Sequence, residues 1–464
     1  MLNHLRMNNF KSWKDTGHVR LAPLTGLFGA NSSGKSAILQ LLLLLKQTQE
    51  STDPSIVLHL GQEERAYVHF GEMRDVLSHR QAEGQLSFAL GWNSSDSLDI
   101  LDPESNDGSL LFEIGAIELR ALVEAVAGGY WVESFDYHFL NRDQPCRFGM
   151  YHKELFQYEL MSVGYKIEPA YGTKTPPLPA PFKFYAFPDP TFARYQNAAF
   201  LRALAFDFEE QLRRIHYLGP TRSDPRRAYF WDGEEPSDVG PQGQRTVPAL
   251  LAAYRADEQP NRWGDRKERP FVMRRVAEWL RELGLIESFR LERRGAIAED
   301  SAFGGSGEFQ VWVKQSPGSE EVLLPAVGFG VSQVLPILTQ CYYAPEGSTL
   351  ILEHPEMHLH PKAQAGLADV FVDAINTRNI QIILESHSEH LLHRLQRRIA
   401  EERVDSGSCA LYFIDNPDGL SRIHELNLTA FGDITNWPRN FFGDDLGDLV
   451  AMTKESIRRR KEQS

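Results

Sequence analysis

Cysteine is scarce: the 464 residues contain three, Cys146, Cys341 and Cys409, far apart and without pattern. No disulfide framework and no cysteine-based zinc site can be read from them, which fits a reducing, cytoplasmic setting. Long hydrophobic runs are missing too. The longest, residues 41–45, stops at Lys46 and is far too short to span a membrane. The opening Met1-Leu2-Asn3-His4-Leu5-Arg6 has no apolar signal core. Positive charge is not in excess. Lys and Arg number 49 against 63 Asp and Glu, a net charge of −14, which argues against a chain coated in nucleic acid but not against a local basic groove. Neither internal repeats nor sustained heptads occur, so a solenoid or a long coiled coil is not expected. What remains is an ordinary globular composition, long enough for about three domains or two large ones.

Residues 19–29 read as a strand and its exit, and the apolar stretch 37–45 that follows suits a buried helix. Short alternating stretches at 84–92 and 109–119 predict strands. From about 130 to 200 the chain is rich in Phe, Tyr and Pro, and Pro176-Pro177-Leu178-Pro179-Ala180-Pro181 is a poor helix and a poor central strand, so loops and short strands are expected. Helices are expected at 202–215 and 271–283, the second ended by Gly284. The C-terminal third is clearer. Apolar strands at 349–353, 380–384 and 409–414 alternate with helices at 362–376 and 389–400, the pattern of a mostly parallel α/β sheet.

Gly29-Ala30-Asn31-Ser32-Ser33-Gly34-Lys35-Ser36 matches the phosphate-binding pattern G-x-x-x-x-G-K-S in full. The spacing has a physical reason. Glycines let backbone N–H groups wrap a phosphate, Lys35 reaches the outer phosphates and the Ser36 hydroxyl can hold Mg²⁺. A strand before and a helix after complete the context, and the helix start adds its positive end. Asn31, Ser32, Ser33, Gly34, Lys35, Ser36 and Ala37 are therefore the expected nucleotide contacts, with ATP and Mg²⁺ as cofactors.

Such a site needs a second strand ending in a carboxylate for the metal. Glu353 stands there, although a strand-end acid can also simply face solvent. His387 follows the next apolar strand, where an imidazole can sense a terminal phosphate or hold the attacking water. Six histidines fall between 354 and 393, yet no His-Glu-x-x-His occurs and Pro355 prevents a regular helix joining His354 to His358. A zinc site is thus the weaker reading of that cluster.

Taken together, these residues resemble an ABC-type ATPase head of the SMC-like, RecF and overcoming-lysogenization-defect (OLD) branch of the AAA-type ATPases. The resemblance rests on the phosphate loop, on strand 350–353 with Pro355-Glu356-Met357-His358-Leu359-His360-Pro361, and on Glu385-Ser386-His387-Ser388. It covers about residues 1–70 and 210–445. It implies an α/β head with a mostly parallel P-loop sheet, an N-terminal antiparallel β part and an inserted mixed lobe. The expected division is 1–100 for the first half of the head, 101–210 for the lobe and 211–464 for the second half. Asn9-Phe10-Lys11-Ser12 is similar to the opening strand of such heads, which implies that Lys11 approaches the nucleotide. Tyr217-Leu218-Gly219-Pro220-Thr221-Arg222 looks like another recurrent segment. Val327-Gly328-Phe329-Gly330-Val331-Ser332-Gln333 fits the signature loop, so Gly330, Ser332 and Gln333 would close the ATP site of a second copy, implying a homodimer or higher oligomer.

One position departs from the family pattern. Such heads carry two consecutive acids, the second of which activates water, and here that second place holds His354. A neutral imidazole can accept a proton but supplies no negative charge, and Glu356 two residues on is a substitute. Catalytic roles are therefore expected of His387, Glu356 and His354, hydrolysis is expected to be slow, and His354→Glu is expected to raise it if the missing acid limits turnover. The glutamine of the loop joining the two lobes cannot be placed between Gln62 and Gln85.

Basic clusters at Arg213-Arg214, Arg274-Arg275, Arg293-Arg294, Arg397-Arg398 and residues 458–461 read mostly as solvated faces. Arg222 and Arg226-Arg227, near Tyr229, Phe230 and Trp231, could grip DNA or RNA or pack an interface. OLD nucleases carry a nuclease domain after the head. About 75 residues follow His387, too few for one, and Asp444, Asp445 and Asp448 lack partner acids. The resemblance is then to stand-alone ATPase subunits of bacterial anti-phage systems such as Septu, which work with a separate nuclease effector. The expected function is an ATP-dependent switch or clamp controlling such a partner. The alternatives are a RecF-like repair ATPase loading on DNA and a nucleotide-binding scaffold with almost no turnover.

Overall fold

The computed structural model describes residues 1–63, 65–101, 109–154, 157–170, 176–258, 272–294, 306–438, 451–456 and 459. Two sheets organise the chain. The first is antiparallel, in the order Trp13–Asp15, Leu2–Phe10, Gly84–Leu101, Leu110–Val126, Gly129–Asn141, Gln144–Glu154 and Gln157–Val163, with Val19–Arg20 also on Leu2–Phe10. Its strands alternate: Leu119, Ala121, Val123 and Ala125 are buried while Arg120 and Val126 are exposed, as a sheet with one wet face requires. Asn141 pairs with Gln144 across a two-residue turn in which Arg142 and Asp143 both have positive φ, 48° and 66°. That turn twists with its strands and fixes their register.

Strands form where 84–92 and 109–119 predicted them, but the expectation of loops and short strands from about 130 needs correcting. Gly84–Leu101, Leu110–Val126, Gly129–Asn141, Gln144–Glu154 and Gln157–Val163 are strands of one sheet with Leu2–Phe10, so the first part of the segment expected as an inserted lobe contributes to the N-terminal sheet. Phe135, Tyr137 and Phe139 are buried at period two, a strand signal that the aromatic richness of the segment concealed. The run 19–29 is likewise two strands. Pro23, which has no N–H to donate, falls at the break between Val19–Arg20 in the first sheet and Leu24–Gly29 in the second.

The second sheet has the order Ile215–Leu218, Thr349–Glu353, Gln381–Glu385, Leu24–Gly29, Cys409–Asp415 and Arg422–Glu425; the first five are parallel and the last antiparallel. Every residue of Leu24–Gly29, Thr349–Glu353 and Gln381–Glu385 is buried, which explains their unbroken apolar runs. The sheet separates two cores. Ile351 and Ile383 face the core shared with the antiparallel sheet and helices Lys35–Glu50 and Phe200–Arg213. Leu350, Leu352, Ile382 and Leu384 face the core built with helices Phe329–Tyr343, Pro361–Arg378 and Glu389–Ala400. A small antiparallel sheet of Tyr229–Trp231, Gly307–Lys314, Ser288–Arg293 and Glu321–Leu323 adjoins the second core. Among the described residues no helix is long and apolar enough to cross a membrane. Gly29, Glu353 and Glu385 all end parallel strands, so their chemistry collects at the carboxyl edge, where open α/β sheets bind ligands.

Candidate functional site

The phosphate loop runs from strand Leu24–Gly29 into helix Lys35–Glu50. Two of its glycines are required by geometry. Gly29 has φ +141°, and a Cβ there would lie 2.0 Å from the Ile414 carbonyl oxygen. Gly34 has φ +104°, and a Cβ would meet Ser421 Oγ at 2.2 Å and Ser12 Oγ at 2.8 Å. Asn31 and Ser32 are exposed at the loop tip, while the buried Ser33 Oγ has no hydrogen-bond partner among the described residues. The helix has no side-chain N-cap, so its first N–H groups are available to an anion. Ala37 N is already bonded to the Gly34 oxygen at 3.2 Å, and Ser36 is half-buried beside it.

Lys35 is buried. Its ammonium donates to the carbonyl oxygens of Gly29 (3.1 Å) and Ala30 (2.7 Å) and lies 3.6 Å from Glu385 Oε1. Burial lowers its pKa, against the pull of Glu385 and Glu356. Lys11 sits beside the same helix but spends its ammonium on Gln40 Oε1 (2.7 Å) and on the face of Phe70 (4.7 Å). Its neighbours reach the loop instead: Trp13 Nε1 donates to the Gly34 oxygen at 3.0 Å, and Ser12 Oγ bonds Ser421 Oγ at 2.6 Å.

The acids face this loop in register, Glu353 opposite Glu385 on adjacent parallel strands. Tyr217 Oη donates to Glu353 Oε1 at 3.0 Å, and Arg222 Nη2 donates to the Glu353 carbonyl at 3.3 Å. Burial, followed by the nearby Glu385, pushes the Glu353 carboxyl up to about 6; Tyr217, His354 and Arg222 oppose the shift. Burial also lowers Arg222, to about 10, and its Nε and Nη1 have no partner among the described residues.

His354 adopts φ +46° and is held between two acids, Nδ1 3.8 Å from Glu356 Oε1 and Nε2 3.7 Å from Glu385 Oε1. Its ring stacks on His387 with centroids 5.0 Å apart and planes 8° from parallel. The two imidazoles diverge electrostatically. The bond to Glu356, and then Glu385, raises the pKa of His354 against burial. Burial, and then Lys35 and His354, lowers that of His387. Burial alone would raise Glu356, but His354 and the His387 backbone N–H, which donates to Glu356 Oε1 at 2.8 Å, bring it below its usual value. His354, Glu356 and His387 thus come together beside Lys35 and Glu353. Donor atoms of His354, Glu385 and His387 lie within 4.8 Å of one another, a set able to hold a metal ion.

The expected signature residues are placed elsewhere. Gly330 opens helix Phe329–Tyr343 near His358 and Leu359. Ser332 Oγ is bonded to the Phe329 carbonyl at 2.7 Å, and both Ser332 and Gln333 are buried. Those side chains are turned into their own chain, and what faces outward is a helix start without a side-chain cap. The basic and aromatic loop is also corrected. Arg222 is buried behind Glu353, and Trp231 is buried with Nε1 on the Glu234 oxygen. Of that group Arg226, Arg227 and Phe230 are exposed. Gln62 and Gln85 are exposed, and no hydrogen bond among the described residues joins either side chain to the cluster. Asp444, Asp445 and Asp448 lie outside the described residues, as do Arg458, Arg460 and Lys461 of the basic run. Sequence reasoning gave no role to Tyr217, Glu385, Ser12 or Ser421. Glu385 had a usable signal, since it ends an apolar strand as Glu353 does.

Residues 192–393 match the family model described as "AAA domain, putative AbiEii toxin, Type IV TA system", and 404–452 match "Protein of unknown function (DUF3696)". The first span contains Tyr217, Arg222, Glu353 and His387, and the phosphate loop precedes it. No curated protein matches the chain. Solved structures similar to it include an Smc head bound to the C-winged helix domain of ScpA (14% identity, 92% of this chain and 98% of that one, TM-score 0.44). The SMC head domain from Thermotoga maritima is 10% identical over 92% and 99% (TM-score 0.37). An Smc head with an extended coiled coil, bound to a ScpA domain and derived from Pyrococcus furiosus, is 13% identical over 92% and 96% (TM-score 0.44).

Proposed function

We propose that the chain is an ATP-binding, slowly hydrolysing ABC-type ATPase that works as a nucleotide-dependent switch or clamp on a separate effector, a nuclease, in anti-phage defence. One observation carries the reading: a complete phosphate loop whose Lys35 lies 3.6 Å from Glu385, itself in register with Glu353 on the adjacent strand, with His354 where a second acid would activate water. Asn31, Ser32, Ser33, Gly34, Lys35, Ser36 and Ala37 would take the phosphates. Ser36 and Glu353 would hold Mg²⁺, which when bound screens the phosphate charge. Among the described residues Ser33 Oγ and Arg222 Nε and Nη1 have no partner, which fits an anionic occupant, and Glu385 Oε2 has none, which fits its cation.

Slow turnover follows from the electrostatics of His354. An imidazole gripped by two carboxylates tends to carry its proton already, and a protonated imidazole cannot accept one from water. His387, pushed toward its neutral form, is the better acceptor near the terminal phosphate. The open helix start at Gly330 would complete the site of a second copy, so ATP would join two heads. A state that lasts as long as ATP survives suits a switch better than a motor. The toxin wording of the matched family supports a defence role.

The test is a native pull-down of the tagged chain from its own host, with and without ATP, beside Lys35→Ala. A stoichiometric nuclease whose retention depends on ATP in the parent and not in the variant is the expected result. A lone chain carrying DNA, with DNA-stimulated hydrolysis, would refute the effector reading.

A further inference from the structure

A cavity of about 890 Å³ lies between the end of helix Lys35–Glu50, residues 65–69, and the turns 217–221 and 241–245. Its size falls in the range of roughly 300–1,000 Å³ typical of small-ligand sites. One wall is the Tyr217 ring, whose hydroxyl leaves the cavity to bond Glu353 at 3.0 Å. The walls are held in place. Gly219 N donates to the Pro241 oxygen and Ser223 N to the Gln242 oxygen, both at 2.8 Å. A Cβ on Gly219 would come 2.7 Å from Tyr217 Oη, so glycine is what lets that ring fold back over its own strand exit. Tyr67 meets Tyr217 edge to face, with centroids 6.1 Å apart at 85°.

The lining chemistry is polar and cationic. Arg65 is exposed on one rim and makes no ion pair with another described residue. Arg245 stands on another, already paired with Asp238. Glu50, the one acid of the lining among the described residues, is paired with Lys46 at 2.7 Å. Gln242 adds an amide suited to the edge of a base, Gln244 holds the turn by accepting from Gln242 N at 2.9 Å, and the two tyrosines add ring surface. Arginine for a phosphate, with an amide and aromatic rings for a planar base, is the recognition set of a nucleotide unit.

We propose that this cavity binds a phosphate-bearing nucleotide unit separate from the one at the phosphate loop, and that Tyr217 couples its occupancy to Glu353. The unit can come from a free nucleotide or from a single strand of nucleic acid. The coupling rests on the proposed role of Glu353 in hydrolysis; the binding does not. Any occupant that shifts the Tyr217 ring changes the hydrogen bond that positions the Glu353 carboxyl, and by linkage nucleotide at the phosphate loop changes the affinity of the cavity in return.

The probe is a fluorescein-labelled, 5′-phosphorylated 12-residue oligodeoxythymidine, followed by anisotropy at low salt, with thymidine 5′-monophosphate as competitor. The full chain carrying Lys35→Ala is the reference protein. Binding is expected to persist in Lys35→Ala and to weaken at least tenfold when Arg65→Glu is added. Arg65→Glu in the otherwise unaltered chain is expected to leave ATP affinity unchanged. Competition by the monophosphate identifies a free nucleotide as a sufficient ligand, and binding without that competition identifies the strand. Tyr217→Phe should keep the probe's affinity and lose its effect on ATP turnover. No anisotropy change at millimolar probe, loss of binding in Lys35→Ala, or an unchanged affinity in Arg65→Glu would each overturn the proposal. Failure of the unaltered chain to bind ATP would instead overturn the ATPase reading and leave the probe measurement standing.

Discussion

Replacing His354 by glutamate restores the second acid that the family pattern calls for, and the sequence alone predicts faster hydrolysis. The surroundings reverse that expectation. The new carboxyl would enter where the imidazole now lies 3.7 Å from Glu385 and 3.8 Å from Glu356, with Glu353 next in the chain. At an effective dielectric constant of 20, like charges at such distances repel by about 4 kcal/mol per pair. Holding a glutamate protonated at pH 7.5 costs only about 4 kcal/mol in total, since that is roughly three pH units above its ordinary pKa. Two repulsive pairs exceed that cost, so the carboxyl takes up a proton and cannot activate water. The penalty is capped by protonation and appears as roughly 3–4 kcal/mol of lost stability. Urea unfolding and steady-state ATP turnover on the same preparation read both effects. His354→Glu should unfold at clearly lower urea with turnover no higher than the parent. Adding Glu385→Gln, which removes one repulsive neighbour, should recover part of the stability and raise turnover. A His354→Glu chain that hydrolyses ATP several-fold faster at undiminished stability would refute the reasoning.

Two further outcomes follow from the site. Because the folded-state pKa of Glu353 is raised to about 6, protons compete with the metal there, and apparent Mg²⁺ affinity in the ATPase assay should fall about tenfold per pH unit below 6 and level off above it; a flat profile from pH 5 to 8 would remove Glu353 from the metal site. Gly34→Ala must accept φ +104° and a methyl 2.2 Å from Ser421 Oγ, so about 2 kcal/mol of strain should weaken ATP binding about thirtyfold by calorimetry, and Ser421→Ala should rescue it only in part because the dihedral stays strained.

Much of this site was legible because its parts are local. The phosphate loop is a contiguous pattern in which Gly29 and Gly34 are forced by close approaches of 2.0 and 2.2 Å, so composition and geometry coincide. Glu353 could be found for a similar reason: buried parallel strands are unbroken apolar runs, and the first charged residue marks the end; His387 lies two residues past the end of the next such run, whose own terminal acid, Glu385, was passed over. What stayed hidden depends on contacts between distant segments. Ser12 meets Ser421, and Tyr217 reaches Glu353 only because the two parallel strands that carry them are neighbours in the sheet. The long hairpins at 84–163 were obscured by a proline cluster that lies beyond them, at 176–181, and by aromatic residues read as irregular when they alternate. His354 shows the difference most sharply. As a letter in the sequence it is an acid that is missing. In the structure Glu385, which pairs in register with Glu353, already brings a second carboxylate to the site from the adjacent strand, and the imidazole lies between it and Glu356. A second carboxylate thus reaches this place from a neighbouring strand, and the imidazole, whose pKa Glu356 and Glu385 raise, sits with Lys35 and Arg222 among three buried glutamates at the carboxyl edge of the sheet. Cations and acids so interleaved offset one another's burial without a nucleotide, as the proposed switch would require.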